Sequence, residues 1–178
     1  MAVRNRGNGP YAASVTTSDY ATYIAGLPRV LAGAATLFRD ERGRILLVEP
    51  NYREGWTLPG GTIESDDGES PRQAARRETA EEIGLDLAPG RLLAVDWTRG
   101  EARPPIVAYV YDGGVLPQER FDAIRLQEDE LLSWKLVDRA GLDAHLPGRL
   151  GLRVRAALEV LDSGDGPAEL VDGAPVAG

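Results

Sequence analysis

Three glutamates near the middle of the chain have the spacing of neighbours on one face of a helix. Glu78, Glu81 and Glu82 lie in the string RRETAEEIGL. At 3.6 residues per turn, their side chains fall within an arc of about 100°. Carboxylates this close repel one another unless a hard divalent cation, which prefers oxygen ligands, lies among them. The spacing is compatible with a Mg²⁺ site or with a solvated acidic face supported by an Arg77–Glu81 pair.

Sequence signals on both sides predict where this helix begins and ends. Ser70 is a suitable N-cap, Pro71 suits the first helical position, and Gln73 completes a capping box. Gly84 is a typical residue at a helix C-terminus. We expect the less polar side of the helix to face a sheet, and it comprises Ala75, Thr79 and Ile83.

Apolar runs separated by turn residues predict a layered α/β domain around this helix. We predict strands at residues 29–39, 45–49, 91–98, 106–111 and 132–137, a turn at 112–114 and a closing helix at 150–161. Residues 1–27 have no clean period and read as an N-terminal arm. Residues 162–178 are acidic and rich in Gly, Pro and Ala, so we expect a disordered tail. The working domain is then 28–161.

The composition restricts the classes of function. The chain of 178 residues has 20 Lys and Arg against 28 Asp and Glu, a net charge of −8, and no Cys. The absence of Cys excludes a disulfide framework, Cys-ligated metals and a Cys nucleophile. The acidic balance argues against nucleic-acid binding, although a bound cation would still allow a small phosphate-bearing ligand. No apolar run is long enough to span a membrane, and the expected location is the cytoplasm.

The string GGTIESDDGESPRQAARRETAEEIGL resembles the Nudix box of the Nudix hydrolases, G-x5-E-x7-R-E-U-x-E-E-x-G-U, where U is a bulky apolar residue. From Glu69 onward the required acidic and basic residues match position by position. There are two departures. Seven residues rather than five separate Gly61 from Glu69, so the loop is longer by two, and Thr79 stands where an aliphatic residue is usual.

This resemblance implies an α/β/α sandwich with a mixed sheet and a Mg²⁺-dependent pyrophosphohydrolase, with Mn²⁺ as an alternative ion. Its substrate would be a nucleoside diphosphate linked to another group, as in an NTP or dNTP, ADP-ribose or a nucleotide sugar. Glu78, Glu81 and Glu82 would be the metal ligands, and Glu69 and Arg77 would orient them.

The proton acceptor and the substrate contacts remain open at this stage. Either Glu82 or Glu130, in the acidic turn before the strand at 132–137, could accept the proton of the attacking water. The residues that we predict to contact substrate are Arg53, Trp97, Arg99, Gly60 and Gly61. The alternative function is a catalytically silent nucleotide-binding module, and a metal-dependent isomerase is a weaker third reading. Relatives of this kind are often dimers, so we expect a homodimer.

Overall fold

The protein's structure, a computed structural model, describes residues 17–100 and 102–176. The helices of that part are α1 (Thr17–Ala25), α2 (Pro71–Ile83), α3 (Gln118–Asp122), α4 (Leu142–His145) and α5 (Arg149–Ser163). The strands are β1 (Leu31–Asp40), β2 (Ile45–Pro50), β3 (Gly60–Thr62), β4 (Leu92–Thr98), β5 (Ile106–Leu116), β6 (Leu131–Val137), β7 (Ala168–Val171) and β8 (Ala174–Pro175). Within these ranges no helix has both the length and the apolar character needed to cross a membrane.

One mixed sheet contains all eight strands. Its order is β6-β2-β1-β5-β4-β7-β8, and β3 pairs with the first half of β1 on the side where β2 pairs with the second half. The pairs β1–β5 and β4–β7 are parallel, and the other pairs are antiparallel. Because β3 lies directly against β1, the chain that leads into α2 starts from the middle of the sheet.

Alternate residues of β1 pack into cores on opposite faces of the sheet, as strand geometry requires. Leu37 packs in a core with Val154 and Ala157 of α5. Ala34 packs with Ala74 and Ala75 of α2 on the other face. The predicted α/β/α sandwich with a mixed sheet is therefore confirmed.

The predicted turn at residues 112–114 is wrong, because β5 continues through it to Leu116. The register against β1 slips by one residue between Leu37 and Phe38, which makes a β-bulge. Gly113 is needed there because a Cβ atom would lie 2.3 Å from the Phe38 ring. Gly114 has a positive φ of 80°. The glycines thus bend a strand rather than end it.

The expectation of a disordered C-terminal tail is also wrong for residues 168–175. These residues form the hairpin β7–β8, which extends the sheet beyond β4. Asp172 and Gly173 both have positive φ, as a two-residue turn of a hairpin requires. Leu170 is 1% exposed and joins the α5-side core, so burial of this side chain outweighs the loop-like composition around it.

The N-terminal arm is helical where the structure describes it. Residues 1–16 lie outside the described residues, and α1 follows. Apolar side chains recur along α1 and its end with the i, i+3, i+4, i+7 spacing of an amphipathic helix, at Tyr20, Tyr23, Ile24 and Leu27, and all four are exposed. The sequence interpretation that residues 1–27 have no clean period is therefore wrong for this segment.

The hairpin is expected to contribute to global stability. We predict that Leu170→Ala lowers the free energy of unfolding by about 2–4 kcal/mol, because it leaves a cavity in the core. Urea unfolding measures the change, with Val171→Ala on the exposed side of the same strand as the control. An effect of Leu170→Ala no larger than that of the control would contradict the packed hairpin.

Candidate active site

Helix α2 begins and ends where the sequence predicts. The Ser70 side chain accepts a hydrogen bond from the Gln73 backbone N–H, and the Gln73 side chain accepts one from the Ser70 N–H. This reciprocal capping box fixes the first turn. At the other end Gly84 adopts the left-handed conformation, with φ of 73°. The local signals therefore set the register in which the helix presents its carboxylates.

The side of α2 next to these carboxylates is buried against the sheet, and Glu82 is buried with it. Ala75, Thr79 and Ile83 are fully buried, as predicted. Thr79, the departure from the usual aliphatic residue, donates to the Ala75 carbonyl at 2.7 Å and contacts the Thr36 hydroxyl of β1 at 3.2 Å. Because its hydroxyl is satisfied, the polar side chain is tolerated in the core.

Arg77 connects the carboxylates of the helix to the loop before it. Its guanidinium donates to both oxygens of Glu69, at 2.8 and 3.1 Å, and to the Thr62 carbonyl at 3.0 Å. Its Nη1 lies 2.8 Å from Glu81 and 3.0 Å from Glu78. The bond from Arg77 lowers the pKa of Glu69, and these contacts together raise the pKa of Arg77. One cation thus holds three carboxylates together.

Glu82 is the most deeply buried of the three helix glutamates. Its side chain accepts a hydrogen bond from the Gly60 N–H at 2.7 Å, and the residue is 3% exposed. Burial raises the pKa of Glu82 to about 8, since the Gly60 bond offsets only part of the desolvation. The charges of Glu78 and Glu130 contribute to this rise. A cation beside this carboxylate would favour its charged form.

Gly60 and Gly61 let the backbone pass very close to these carboxylates. Gly60 has φ of 146°, and a Cβ there would lie 2.3 Å from the Ala34 carbonyl oxygen. A Cβ on Gly61 would lie 2.6 Å from the carboxylate of Glu78. Burial raises the pKa of Glu78 as well, against the opposing effect of Arg77. The predicted Gly-Gly break is thus part of the wall around the acidic groups.

A cavity of about 690 Å³ opens over this cluster, large enough for a small-molecule ligand. Its lining includes Gly60, Gly61, Arg77, Glu78 and Glu82 together with Glu130. Further lining residues, which the sequence did not single out as site residues, are Asn51, Tyr52, Thr62, Glu64 and Asp129. Glu81 is not among the lining residues, and its half-exposed side chain contacts Arg77, which is. The cavity thus brings Glu78, Glu82 and Glu130 together, whereas Glu69 and Glu81 connect to it through Arg77.

Glu130 reaches the cavity because its loop is tied to the loop after β2. The Asn51 N–H donates to the Glu130 carbonyl at 2.8 Å, and the Asn51 side chain donates to the Asp129 carbonyl. The Gln127 side chain donates to the Glu130 carboxylate at 3.2 Å. Position alone therefore supports Glu130 as a candidate proton acceptor, with its role untested.

Three of the predicted substrate residues lie outside this cavity. Arg53 is exposed in the loop after β2. Asn51 and Tyr52 of the same loop line the cavity, but Arg53 does not. Trp97 is 40% exposed on β4 and pairs with Val171 of the C-terminal hairpin. Arg99 is paired with Asp172. A role for these side chains in binding substrate stays a prediction, and the structure does not bring them to the carboxylates.

The donor set fits a hard divalent cation. The carboxylates that line the cavity, Glu78, Glu82 and Glu130, offer only oxygen ligands, and the absence of a side chain on Gly61 leaves space beside Glu78. Across residues 17–100 and 102–176, no three acidic or imidazole groups already surround one point as ligands would. Glu78 and Glu81 instead share Arg77 Nη1.

Comparison with known proteins identifies this architecture. The model of the NUDIX domain matches residues 29–156, which is most of the chain. The chain belongs to the Nudix family. A Nudix hydrolase of the MutT type from Burkholderia pseudomallei is 29% identical in sequence. Its crystal structure aligns with a TM-score of 0.56 over 74% of this chain and 97% of that one.

Two curated relatives match the Nudix region in sequence. YjhB of Bacillus subtilis, by its name a candidate ADP-ribose pyrophosphatase, is 40% identical over 75 residues, which cover 42% of this chain and 34% of YjhB. Human NUDT18, named as an 8-oxo-dGDP phosphatase, is 35% identical over 99 residues, which cover 51% of this chain and 29% of NUDT18. The matched part thus spans about a third of the length of either relative.

The burial of Glu82 predicts a pH dependence of stability in the metal-free Nudix domain. Its pKa is higher in the folded chain than in the unfolded chain, so the folded state holds more protons between pH 4.5 and about 8. Glu82 therefore stabilises the fold fully only below this window. As the pH rises through it, the free energy of unfolding falls by about 1 kcal/mol per pH unit.

Thermal melts in EDTA between pH 5.5 and 8.5 measure this slope. The wild type should lose stability more steeply than Glu82→Gln, which cannot ionise, while Glu159→Gln on α5 should behave like the wild type. Equal slopes in the wild type and Glu82→Gln would contradict the shifted pKa.

Proposed function

We propose that the protein is a Mg²⁺-dependent pyrophosphohydrolase that cleaves a nucleoside diphosphate linked to another group by attack of water on a phosphorus. Mn²⁺ is the alternative ion. The names of the relatives above suggest ADP-ribose and 8-oxo-dGDP as substrates to test, and the Nudix box adds an NTP or dNTP and a nucleotide sugar. A cytoplasmic location stays a prediction.

The observation that carries this proposal is the convergence of three carboxylates on one cavity, of which Glu82 is buried, Glu78 is half-buried and Glu130 is exposed. Glu82 and Glu78 line it from α2, and Glu130 lines it from the opposite loop. Carboxylates in such a crowded, partly desolvated place are costly unless they serve a charged partner. The only cation of the cavity lining within the described ranges is Arg77, and it already contacts three carboxylates.

Three groups of residues would have separate roles in this reaction. Glu78, Glu81 and Glu82 would hold the cation, which supplies charge neutralisation at the phosphates and a more acidic water when bound. Arg77 and Glu69 would keep the acidic face in register. The Gly60–Gly61 backbone would let a pyrophosphate approach closely, since no side chain stands in the way.

The proton of the attacking water has two candidate acceptors. Glu82 has a raised pKa but is held by the Gly60 N–H. The Glu130 carboxylate accepts a hydrogen bond from the Gln127 side chain. Because Glu130 is exposed and lines the cavity, its carboxylate is accessible to a water there. If Glu130 is the acceptor, Glu130→Gln lowers kcat without changing the Mg²⁺ concentration for half-maximal rate.

Turnover of a panel of these compounds with and without Mg²⁺ tests the proposal. We expect at least one compound to be hydrolysed only with metal, and Glu82→Gln and Glu78→Gln to lower kcat by about 10²–10⁴-fold, because each removes a charged oxygen at the reacting phosphates. Product nucleotides are resolved by anion-exchange chromatography.

Glu159→Gln, an exposed carboxylate on α5, is the matched control and should keep wild-type rates. A compound that raises the melting temperature but gives no product would replace the proposal with the silent binding module. Metal-independent turnover would contradict it directly.

We further propose that the chain forms a homodimer, because it exposes two apolar surfaces of its own. One is the stripe of α1, and the other is the sheet surface at Trp97 and Val171. In a two-fold dimer, the apolar side of α1 in each copy would pack on the sheet surface of the other copy. Both apolar surfaces of both copies would then be buried. Sedimentation should give a dimer that Tyr23→Ser weakens and that Leu132→Ser, on exposed β6, leaves intact. A monomeric wild type would contradict this proposal.

A further inference from the structure

A second cavity, of about 170 Å³, lies on the α5 side of the sheet. Most of its walls are small or apolar and include Ala35, Leu58, Ile106, Ala108 and Leu150. Gly60 and Gly61 line both this cavity and the carboxylate cavity, so the two cavities adjoin at that backbone segment. A designed cavity of about 150 Å³ accepts a benzene ring. The size and lining therefore suit one flat ring system.

Arg153 of α5 is the one charged side chain that lines this cavity within the described residues. Its Nε donates to Asp96 at 2.8 Å, and its Nη2 donates to the Thr98 hydroxyl at 2.9 Å. Asp96 is fully buried and also accepts from the Gly173 N–H. The guanidinium is thus held in one orientation by β4 and by the C-terminal hairpin.

The fixed guanidinium retains donors for a ligand. An arginine has five N–H groups and no acceptor. Nε and Nη2 are engaged, whereas Nη1 has no hydrogen-bond partner among residues 17–100 and 102–176. The buried Asp96 neutralises the positive charge, so the attraction for an anion is weak while the Nη1 groups still donate. The cavity therefore suits a neutral ring that carries a hydrogen-bond acceptor.

We propose that this cavity receives the base of the substrate and that Arg153 donates from Nη1 to a ring carbonyl oxygen. A 6-oxopurine, guanine or hypoxanthine, offers that acceptor, whereas adenine presents an amino group at the same position and leaves the donors unpaired. Arg153 is then a specificity-determining residue. The identity of the ligand as a nucleotide rests on the proposed function, but the binding preference is measured without catalysis.

Inosine 5′-monophosphate and AMP form the sharpest pair of probes, because their bases differ at position 6 and in the adjoining ring proton. Titration of the full chain in EDTA, followed by NMR, gives both dissociation constants. We expect the inosine nucleotide to bind about tenfold more tightly than AMP. Arg153→Lys keeps a cation beside Asp96 but removes Nη1, and should reduce the ratio to near one.

Two further variants separate this role from a structural one. Arg155→Lys changes a neighbouring arginine of the same helix that pairs with Asp143, and should keep the tenfold ratio. Ala108→Leu fills the cavity and should weaken both nucleotides without touching the carboxylates. Thermal melts verify that each variant is folded, and Ala108→Leu carries the test if Arg153→Lys unfolds.

Equal binding of the two nucleotides by the wild type would overturn the proposal, as would an unchanged ratio in Arg153→Lys or unchanged binding in Ala108→Leu. The proposed function fails separately. If the protein hydrolyses nothing with Mg²⁺ yet prefers the inosine nucleotide, the proposed function fails and the proposal for the base cavity stands. If it hydrolyses IDP-linked and ADP-linked compounds equally well, the proposed function stands and the proposal for the base cavity fails.

Discussion

The repulsion among carboxylates on one face of α2 is the constraint on which the site depends. Glu78, Glu81 and Glu82 are close in space because the helix fixes their spacing, and burial of Glu82 increases the cost. Arg77 reduces that cost through contacts with Glu69, Glu78 and Glu81. The capping box at Ser70 holds the helix start, and thus the register that this arrangement needs.

Local signals in the sequence were sufficient for this helix. Ser70, Gln73 and Gly84 act on residues within one turn, so their effects are readable without the fold. The contacts that complete the site join distant segments. The Gly60 N–H reaches Glu82 across 22 positions, and Arg153 reaches Asp96 across 57. Such partners depend on the sheet order, which periodicity does not reveal.

The errors of sequence interpretation have different physical causes. The Asp172-Gly173 pair is a strong hairpin signal, but the Gly, Pro and Ala around it suggested a disordered tail. Gly113 and Gly114 resemble a turn, yet the lack of a side chain at Gly113 lets β5 pass the Phe38 ring, and Gly114 supplies a positive φ. The predicted substrate contacts of Trp97 and Arg99, which rest on their position at a strand end, are not among these errors and stay predictions. In the fold that end adjoins the C-terminal hairpin.

The C-terminal hairpin connects this overlooked segment to the proposed recognition of substrate. It pairs with β4, and its Gly173 N–H donates to the buried Asp96, which in turn fixes Arg153. The Gly60–Gly61 segment then joins the cavity of Arg153 to the cavity of the carboxylates. The two cavities therefore share one backbone segment of the sheet, and the hairpin holds the arginine of one of them.

Direct metal binding is the measurement that tests the central claim, that the acidic face of α2 holds a divalent cation. Mn²⁺ titrated into the metal-free protein is followed by the loss of the free-ion electron paramagnetic resonance signal. The account predicts bound Mn²⁺ that Mg²⁺ displaces, and much weaker binding in Glu78→Gln and Glu82→Gln than in Glu159→Gln. Mn²⁺ that stays free, or that binds equally to all three variants, would contradict it.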